Sequence, residues 1–228
     1  MYNFEYFKRG DEMNDYLYII MCGGTYEKWQ TPKHLVKING EPLVKRTIRL
    51  LRECGVKDIA ISSNDDRFAE FGVPLLKHHN PYILPKDHDA VTPWLDAFYP
   101  MTEPVCYLMG DVVFSPYAIE TIVNTDTDSI QFFASAPPFA PEYCKPWAEP
   151  FGFKVVDTKR FFEAIEETKE YEKQGKFYRQ PVSWELWQVI KHTRLAKVDY
   201  TNYCAINDYT CDIDTPEDIK FFEDLLND

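Results

Sequence analysis

The 228-residue sequence lacks the glycine patterns of the commonest nucleotide-binding loops. It contains neither G-x-G-x-x-G nor G-x-x-x-x-G-K-[ST], which excludes a standard dinucleotide fingerprint and a P-loop. It also lacks an apolar run of about 18 residues and an apolar segment near the N-terminus, so we expect no membrane span and no secretion signal. Its six cysteines form no C-x-x-C pair, which favours reduced thiols and a cytoplasmic protein.

Positive charge is scarce as well. Lysine and arginine together number 25 against 37 aspartates and glutamates, which leaves a formal net charge of −12. A field of this sign repels nucleic acid and anionic lipid, so neither is an expected partner. An anionic substrate would have to be bound by local cations, backbone N–H groups or a metal ion.

Apolar, strand-like runs alternate along the chain with amphipathic, helix-like segments. The strand-like runs lie at 16–21, 57–65, 73–79, 104–111, 128–135 and 152–157, and the helix-like segments at 41–55, 92–100, 115–124, 160–176 and 216–226. Strands separated by helices form βαβ units, which predicts a three-layer α/β fold with a mostly parallel mixed sheet. We find no internal repeat or linker, and therefore predict one domain over 1–228 with an N-terminal extension at 1–14.

Sheets of this kind bind ligands at the carboxyl ends of their strands. Three predicted strands end there in small or polar residues: Gly23-Gly24, Ser62-Ser63-Asn64 and Gly110-Asp111. Glycine lets the backbone approach an anion, and a carboxylate directly after a buried strand is a candidate ligand of a divalent cation. The alternative role of Asp111 is to cap the helix that begins at Ser115-Pro116.

Four motifs, in this order, carry a family resemblance. A Gly-Gly turn follows the first strand, then come "TPK" at 31–33, "YLMGDVVFS" at 107–115 and "DIDTPEDIKFFED" at 212–224. The chain resembles sugar-phosphate nucleotidyltransferases of the GT-A-like, Rossmann-type fold (nucleotide-diphospho-sugar transferase-like), and among them the small cytidylyltransferases. The resemblance implies transfer of a nucleotidyl group from an NTP, with CTP favoured, to a phosphorylated sugar, polyol or choline, with release of pyrophosphate.

The resemblance also implies roles for particular residues. Lys33 would contact the α-phosphate, and Asp111 and Asp214 would hold Mg²⁺, with Asp212 as the alternative to Asp214. The nucleotide-binding candidates are Cys22, Gly23, Gly24, Thr25, Ser62, Ser63, Asn64, Thr92 and Gly110. Thr92 is equally well explained as a helix N-cap.

The first loop departs from the pattern of the family. Members usually read G-x-G-[ST]-R, whereas this chain reads Gly-Gly-Thr-Tyr-Glu-Lys from Gly23 to Lys28. Because a glutamate facing a triphosphate is repelled, we predict that Lys28 supplies the missing positive charge.

The segment 135–153 is rich in proline and aromatic residues and is predicted to be an irregular acceptor loop. Candidate acceptor-binding residues in and beyond it are Lys145, Trp147, Lys154 and Trp184. The competing interpretations are solvated surface lysines and core tryptophans. His78, His79, His88 and Asp89 show no zinc-ligand spacing, and solvated loop residues are the favoured interpretation.

Three functions follow from these features. The first is a Mg²⁺-dependent nucleotidyltransferase that makes an activated precursor, for example of a surface polysaccharide. The second is a GT-A glycosyltransferase, although "GDVV" lacks the expected D-x-D. The third is a sensor that binds nucleotide without turnover. The sequence leaves the oligomeric state open, with a homodimer among the alternatives.

Overall fold

The computed structural model describes residues 16–23, 29, 31–77, 93–137 and 148–227. The strands within these residues are β1 Leu17–Met21, β2 Lys37–Ile38, β3 Glu41–Pro42, β4 Ile59–Ser62, β5 Leu75–Leu76, β6 Val105–Met109, β7 Val112–Val113, β8 Ile130–Ala134, β9 Pro150–Val155, β10 Cys204–Ala205 and β11 Cys211–Asp212. The α-helices are α1 Leu43–Glu53, α2 Pro116–Asn124, α3 Thr158–Lys173, α4 Ser183–Ile190 and α5 Pro216–Asn227. Short 3₁₀ helices cover Lys33–Leu35, Asp66–Phe71 and Pro93–Ala97.

Seven strands form the central sheet in the order β10-β8-β9-β6-β1-β4-β5. β1 pairs in parallel with both β4 and β6, and β9 pairs antiparallel with both β6 and β8. Two small antiparallel ladders, β2–β3 and β7–β11, lie outside this sheet. The predicted α/β fold with a mostly parallel mixed sheet is confirmed.

Apolar side chains cover the sheet on both faces. On one face, Phe98 and residues of α3 and α4 pack against alternate residues of β1, β6 and β9. On the other face, α1 and α2 pack against the intervening residues of β1 and β6. Because β1 is buried along its whole length, it reads as a continuous apolar run rather than as an alternating one.

A third apolar cluster joins the C-terminal segment to the first part of the chain. Ile38, Leu43, Val113, Ile213 and Phe222 are buried together, so α5 packs on the segment that follows Lys33–Leu35. Two polar contacts reinforce this packing, since the side chains of Glu223 and Asn227 both bond to Asn39. Helix α5 is thereby held against the segment around Ile38 and Asn39.

Local signals account for the ends of several elements. The Ser115 hydroxyl accepts the Ala118 N–H at 2.8 Å, and Pro116 occupies the first turn of α2, which is how this helix start was predicted. Several elements differ from expectation. The sequence does not predict helix α4 or the short strands β2, β3, β7, β10 and β11. Among the described residues, the run at 73–79 forms strand at Leu75–Leu76, and the run at 92–100 forms the 3₁₀ helix Pro93–Ala97 rather than an α-helix.

The predicted acceptor loop at 135–153 is described only at its two ends, and β9 begins inside it at Pro150. Within the described ranges, no helix combines the length and the apolar character that crossing a bilayer requires. The N-terminal extension at 1–14 lies outside the described residues.

Lys154 is an interior residue, which contradicts its prediction as an acceptor-binding lysine. Its side chain is 1 % exposed, and its ammonium donates to the carbonyls of Ile122, Val123 and Thr125 at 3.2, 3.0 and 2.7 Å. These carbonyls belong to the C-terminal end of α2, where a cation is favoured by the helix dipole. Burial lowers the pKa of this ammonium.

Trp184 is also an interior residue, and its prediction as an acceptor-binding wall is wrong. The indole is 1 % exposed and makes edge-to-face contacts with Phe132, Tyr200 and Tyr203 at centroid distances of 4.9, 4.8 and 5.0 Å. Such contacts between aromatic rings stabilise the core that α4 closes.

We expect Lys154→Met to destabilise the fold by about 2–3 kcal/mol, because it leaves buried carbonyls without a donor. Urea unfolding measures the loss. Lys159→Met is the matched control, since the Lys159 side chain is 87 % exposed and its loss should change stability little. A Lys154→Met protein of normal stability but impaired acceptor use would restore Lys154 to the site.

Candidate active site

Three neighbouring parallel strands end at one level of the sheet. Met21, the last residue of β1, pairs with Ser62 at the end of β4 and with Met109 at the end of β6. The residues that follow these strands therefore share one edge. This brings Gly23, Asn64 and Asp111 to the same side of the molecule, as the strand-end argument predicted.

Gly110 allows the close approach between β6 and β1 at this edge. A Cβ added at Gly110 would lie 2.3 Å from the Met21 carbonyl oxygen and 2.9 Å from His34 Cδ2. The Gly110 N–H donates to the same Met21 carbonyl at 3.1 Å. Gly110 is thus buried against protein rather than open to a nucleotide, and its effect on the site is to position Asp111.

The ammonium of Lys33 lies between two carboxylates from distant segments. Its Nζ is 2.5 Å from Asp111 Oδ2 and 4.0 Å from Asp214 Oδ1, and it donates to the Ile213 carbonyl at 3.3 Å. The side chains of Lys33, Asp111 and Asp214 are 21 %, 26 % and 48 % exposed, so this cluster borders solvent. The structure therefore brings together the three residues on which the predicted site depends.

Backbone pairing brings Asp214 to this position. Cys211 and Asp212 form the β11 ladder with β7, and the Ile213 N–H donates to the Asp111 carbonyl at 3.0 Å. The N–H groups of Asp214 and Thr215 both donate to Asp218 Oδ2 at 2.8 Å, which shapes the start of α5.

Polar side chains upstream of β11 reinforce the pairing. Asp208 accepts from the Ser115 hydroxyl and from the Thr210 N–H, and the Thr210 hydroxyl accepts the Ser115 N–H at 3.0 Å. The buried Arg46 donates to the Phe114 carbonyl at 2.6 Å. Sequence reasoning missed these residues. Ser115 was assigned only as a cap of α2, and no sequence signal pairs it with Asp208.

The charges of the cluster stabilise one another. Burial alone would lower the pKa of Lys33, but Asp111, Asp212 and Asp214 together raise it above its ordinary value. Burial would likewise raise the pKa of Asp111, and the adjacent Lys33 ammonium holds it below the ordinary value. Lys33 is therefore protonated and Asp111 ionised at neutral pH.

The distances favour Asp214 over Asp212 as the second carboxylate at Lys33. Asp214 Oδ1 lies within ion-pair distance of Nζ, whereas Asp212 acts on Lys33 through its field and also accepts from the Cys211 thiol at 3.7 Å. Within the described ranges, no group of three or more His, Cys, Asp or Glu side chains is arranged to hold a metal ion. A metal here would therefore need ligands beyond the two carboxylates.

The predicted nucleoside-binding residues differ in how much of their side chains is exposed. Cys22, predicted to bind nucleotide, is fully buried and its N–H donates to the Ser62 carbonyl at 2.9 Å, so its thiol and its N–H both face protein. The hydroxyls of Ser62 and Ser63 are buried, and that of Ser63 accepts the Asp65 N–H at 3.2 Å. These hydroxyls face protein, whereas Asn64 is exposed at the edge.

Several predicted site residues lie outside the described residues: Gly24, Thr25, Lys28, Thr92, Lys145 and Trp147, together with His78, His79, His88 and Asp89. Their roles stay predictions. Gly23 is partly exposed and lies two residues after the end of β1.

A family model described as "MobA-like NTP transferase domain" matches residues 18–184. No curated protein matches the chain in sequence. The fold is similar to the CTP:phosphocholine cytidylyltransferase of Streptococcus pneumoniae, with a TM-score of 0.52, 16 % identity and coverage of 93 % of this chain and 100 % of that one.

Two further solved structures share the fold. The inositol-1-phosphate CTP transferase of T. maritima has a TM-score of 0.56 and 14 % identity, and the match covers 93 % of this chain and 96 % of that one. The 4-diphosphocytidyl-2C-methyl-D-erythritol synthase of Anaerococcus prevotii has a TM-score of 0.55 and 12 % identity, with 94 % and 100 % covered.

His34, next to Lys33, is a buried titratable residue. It is 2 % exposed and packs edge-on against Phe68 at 6.0 Å. Burial outweighs the attraction of Asp111 and lowers the pKa of His34 to about 4. The imidazole is therefore neutral in the folded protein at neutral pH.

We expect the buried His34 to cost stability in acid. The unfolded chain takes up a proton at this residue near pH 6.5, whereas the folded protein does so near pH 4. Stability is therefore lost as the pH falls from about 6.5 to about 4, by about 3 kcal/mol in total. The measurement is the difference in unfolding free energy between wild type and His34→Asn at pH 7, 5.5 and 4.

The comparison of wild type with His34→Asn cancels the pH dependence of stability that comes from the carboxylates, because both proteins contain them. His192→Asn, at an exposed position, corrects for the loss of an imidazole as such. A difference between wild type and His34→Asn that stays constant with pH would show that His34 titrates normally.

Proposed function

We propose that this chain, which belongs to the MobA-like NTP transferase family, transfers CMP from CTP to a small phosphorylated acceptor and releases pyrophosphate. The observation that carries the proposal is the convergence of Lys33, Asp111 and Asp214 at the carboxyl edge of the sheet. The family supplies the class of reaction, and this cluster supplies charges of the kind that a triphosphate and its metal require.

Lys33 is the residue that we assign to the reacting phosphate. Without a ligand, its Nζ lies between two carboxylates and one carbonyl, and it stays charged because those carboxylates raise its pKa. Negative charge grows on the α-phosphate and on the leaving pyrophosphate during transfer, so an ammonium placed there stabilises the transition state.

The nucleophile needs no dedicated base. A phosphate monoester loses its second proton at a pKa near 6, so an oxygen of the acceptor phosphate is already anionic at neutral pH. That oxygen forms a bond to the α-phosphorus while the bond to the α–β bridging oxygen breaks. Placement of the two reactants therefore contributes more than proton transfer.

Asp111 and Asp214 would hold Mg²⁺. Mg²⁺ in phosphoryl-transfer sites takes one or two carboxylates and completes its shell with phosphate oxygens and water, which fits a site with two carboxylates gathered around one cation. Bound there, it would neutralise phosphate charge and orient the triphosphate.

The preference for cytidine is supported by the presence of CTP-using enzymes among the proteins that share the fold. The neighbours named above include a phosphocholine cytidylyltransferase and an inositol-1-phosphate CTP transferase, and a CTP complex of CMP:2-keto-3-deoxy-manno-octonic acid synthetase also matches. The closing "DTPED" at 214–218 is the segment of this chain that resembles cytidylyltransferases. On the acceptor side, Lys145 and Trp147 are the candidates that remain.

The proposal is tested by pyrophosphate release from each NTP in the presence of Mg²⁺ and a mixture of phosphorylated sugars, polyols and choline. Release with CTP that depends on an acceptor supports it. Turnover of a nucleotide sugar without pyrophosphate would indicate a glycosyltransferase, and nucleotide binding without any turnover would indicate a sensor.

We expect Lys33→Ala to lower kcat by about 10²–10³, which is typical for the loss of one group that stabilises developing charge. Lys37→Ala is the matched control, because Lys37 is exposed four residues further along the chain. Equal kinetics in the two variants would remove Lys33 from the reaction.

Asp111→Asn and Asp214→Asn should abolish activation by Mg²⁺ while leaving the fold intact, whereas Asp224→Asn, an exposed change on α5, should leave activation unchanged. The readout is kcat as a function of Mg²⁺ concentration, with thermal unfolding as the control for folding. If the two site variants lose stability but keep Mg²⁺ activation, these carboxylates are structural.

We expect CTP with Mg²⁺ to raise the melting temperature more than ATP, GTP or UTP with Mg²⁺. A ligand at about a hundredfold excess over its Kd stabilises the folded state by about 2.7 kcal/mol. Thermal unfolding with each NTP measures the order. A larger shift with another NTP would overturn the preference for cytidine.

A further inference from the structure

The ammonium of Lys33 touches the same carboxylates that are proposed to hold the metal ion. Nζ lies 2.5 Å from Asp111 Oδ2 and 4.0 Å from Asp214 Oδ1, and Asp212 adds to the same negative field. A cluster of acidic side chains so close together would repel itself without a cation. In this structure the cation is a side chain of the protein.

A divalent cation on Asp111 would compete with this ammonium. Two positive charges against one carboxylate oxygen repel each other strongly in a partly buried site, where the screening by water is reduced. Metal binding at Asp111 therefore requires Lys33 to move away, and the loss of the ion pair opposes the metal.

Lys33 has the means to move. Its side chain is 21 % exposed, and among the described residues its hydrogen-bond partner besides the carboxylates is a neutral carbonyl, that of Ile213. A triphosphate offers several anionic oxygens, which attract an ammonium more strongly than one carboxylate does. Nucleotide binding would thus draw Lys33 from Asp111 and leave that carboxylate for the metal.

We infer that Lys33 is an exchangeable counter-ion that makes nucleotide binding and metal binding mutually dependent. Without nucleotide, Lys33 occupies Asp111 and the site has a low affinity for divalent cations. With nucleotide, Lys33 pairs with phosphate and the affinity for the metal rises, and by linkage the metal raises the affinity for nucleotide to the same extent. The inference rests on the proposed function for the identity of the anion, but the competition itself does not require turnover.

The test is direct binding of Mn²⁺, followed by electron paramagnetic resonance without any nucleotide. We expect Lys33→Met, which keeps the length of the side chain and removes its charge, to bind Mn²⁺ about tenfold or more tightly than wild type. Lys37→Met is the matched control and should bind like wild type, because Lys37 is exposed and makes no ion pair with the site carboxylates. Unchanged or weaker binding of Mn²⁺ by Lys33→Met would overturn the inference.

Two further variants keep the result interpretable. Lys33→Gln, which keeps a donor for the Ile213 carbonyl, replaces Lys33→Met if that protein does not fold. Adding Asp111→Asn to either variant should abolish the gained affinity, and a gain that survives would place the metal elsewhere and overturn the inference.

The outcome separates the inference from the proposed function. Tighter Mn²⁺ binding by Lys33→Met in a protein with no transferase activity would support the exchange and refute the proposed reaction. If the wild type has normal transferase activity but Lys33→Met shows no gain in Mn²⁺ affinity, the proposed reaction is supported and the exchange is refuted.

Discussion

The candidate site depends on one electrostatic arrangement, the placement of the Lys33 ammonium between Asp111 and Asp214. These residues are separated by long stretches of chain, and each carries a charge that is costly to remove from water alone. Together they share that cost, because the carboxylates raise the pKa of the lysine and the lysine lowers the pKa of Asp111. The site is therefore stable only when all three segments are correctly folded, which makes its geometry a property of the whole domain.

Backbone hydrogen bonds do most of the positioning. The Gly110 N–H donates to the Met21 carbonyl, which places Asp111, after β6, beside the end of β1. The Ile213 N–H donates to the Asp111 carbonyl, which positions the segment that carries Asp214. The cluster around Phe222 then holds α5 against the residues after Lys33. Backbone contacts of this kind leave the charged side chains able to change partners while the chain around them stays in place. The proposed binding of an anion and a metal ion at this site would benefit from that separation.

The sequence predicts the parts of this arrangement that follow from local signals. It does not predict those that depend on contacts between distant segments of the chain. The strands β1 and β6 and the start of α2 follow from apolar runs and a Ser-Pro cap, which are local signals, and the edge shared by Asp111 and Gly23 follows from the rule for parallel strands. Helix α4 was missed because all eight of its residues are buried, so it shows no polar face. Lys154 was misjudged because its partners are carbonyls at the end of α2, and no pattern in β9 reveals which helix end lies beside it.

The same charges explain why a domain with a net charge of −12 is suited to an anionic substrate. At the described part of the edge, one ammonium faces two carboxylates, so the local charge is negative and a free triphosphate would be repelled. Under the proposed function, a triphosphate that arrives with a divalent cation would change this balance, because its phosphates would draw Lys33 from Asp111 and the cation would replace the ammonium at that carboxylate. Under the proposed function, the acidic residues would favour the metal complex of the nucleotide over the free nucleotide. In such a site the negative charge of the protein contributes to specificity rather than opposing binding.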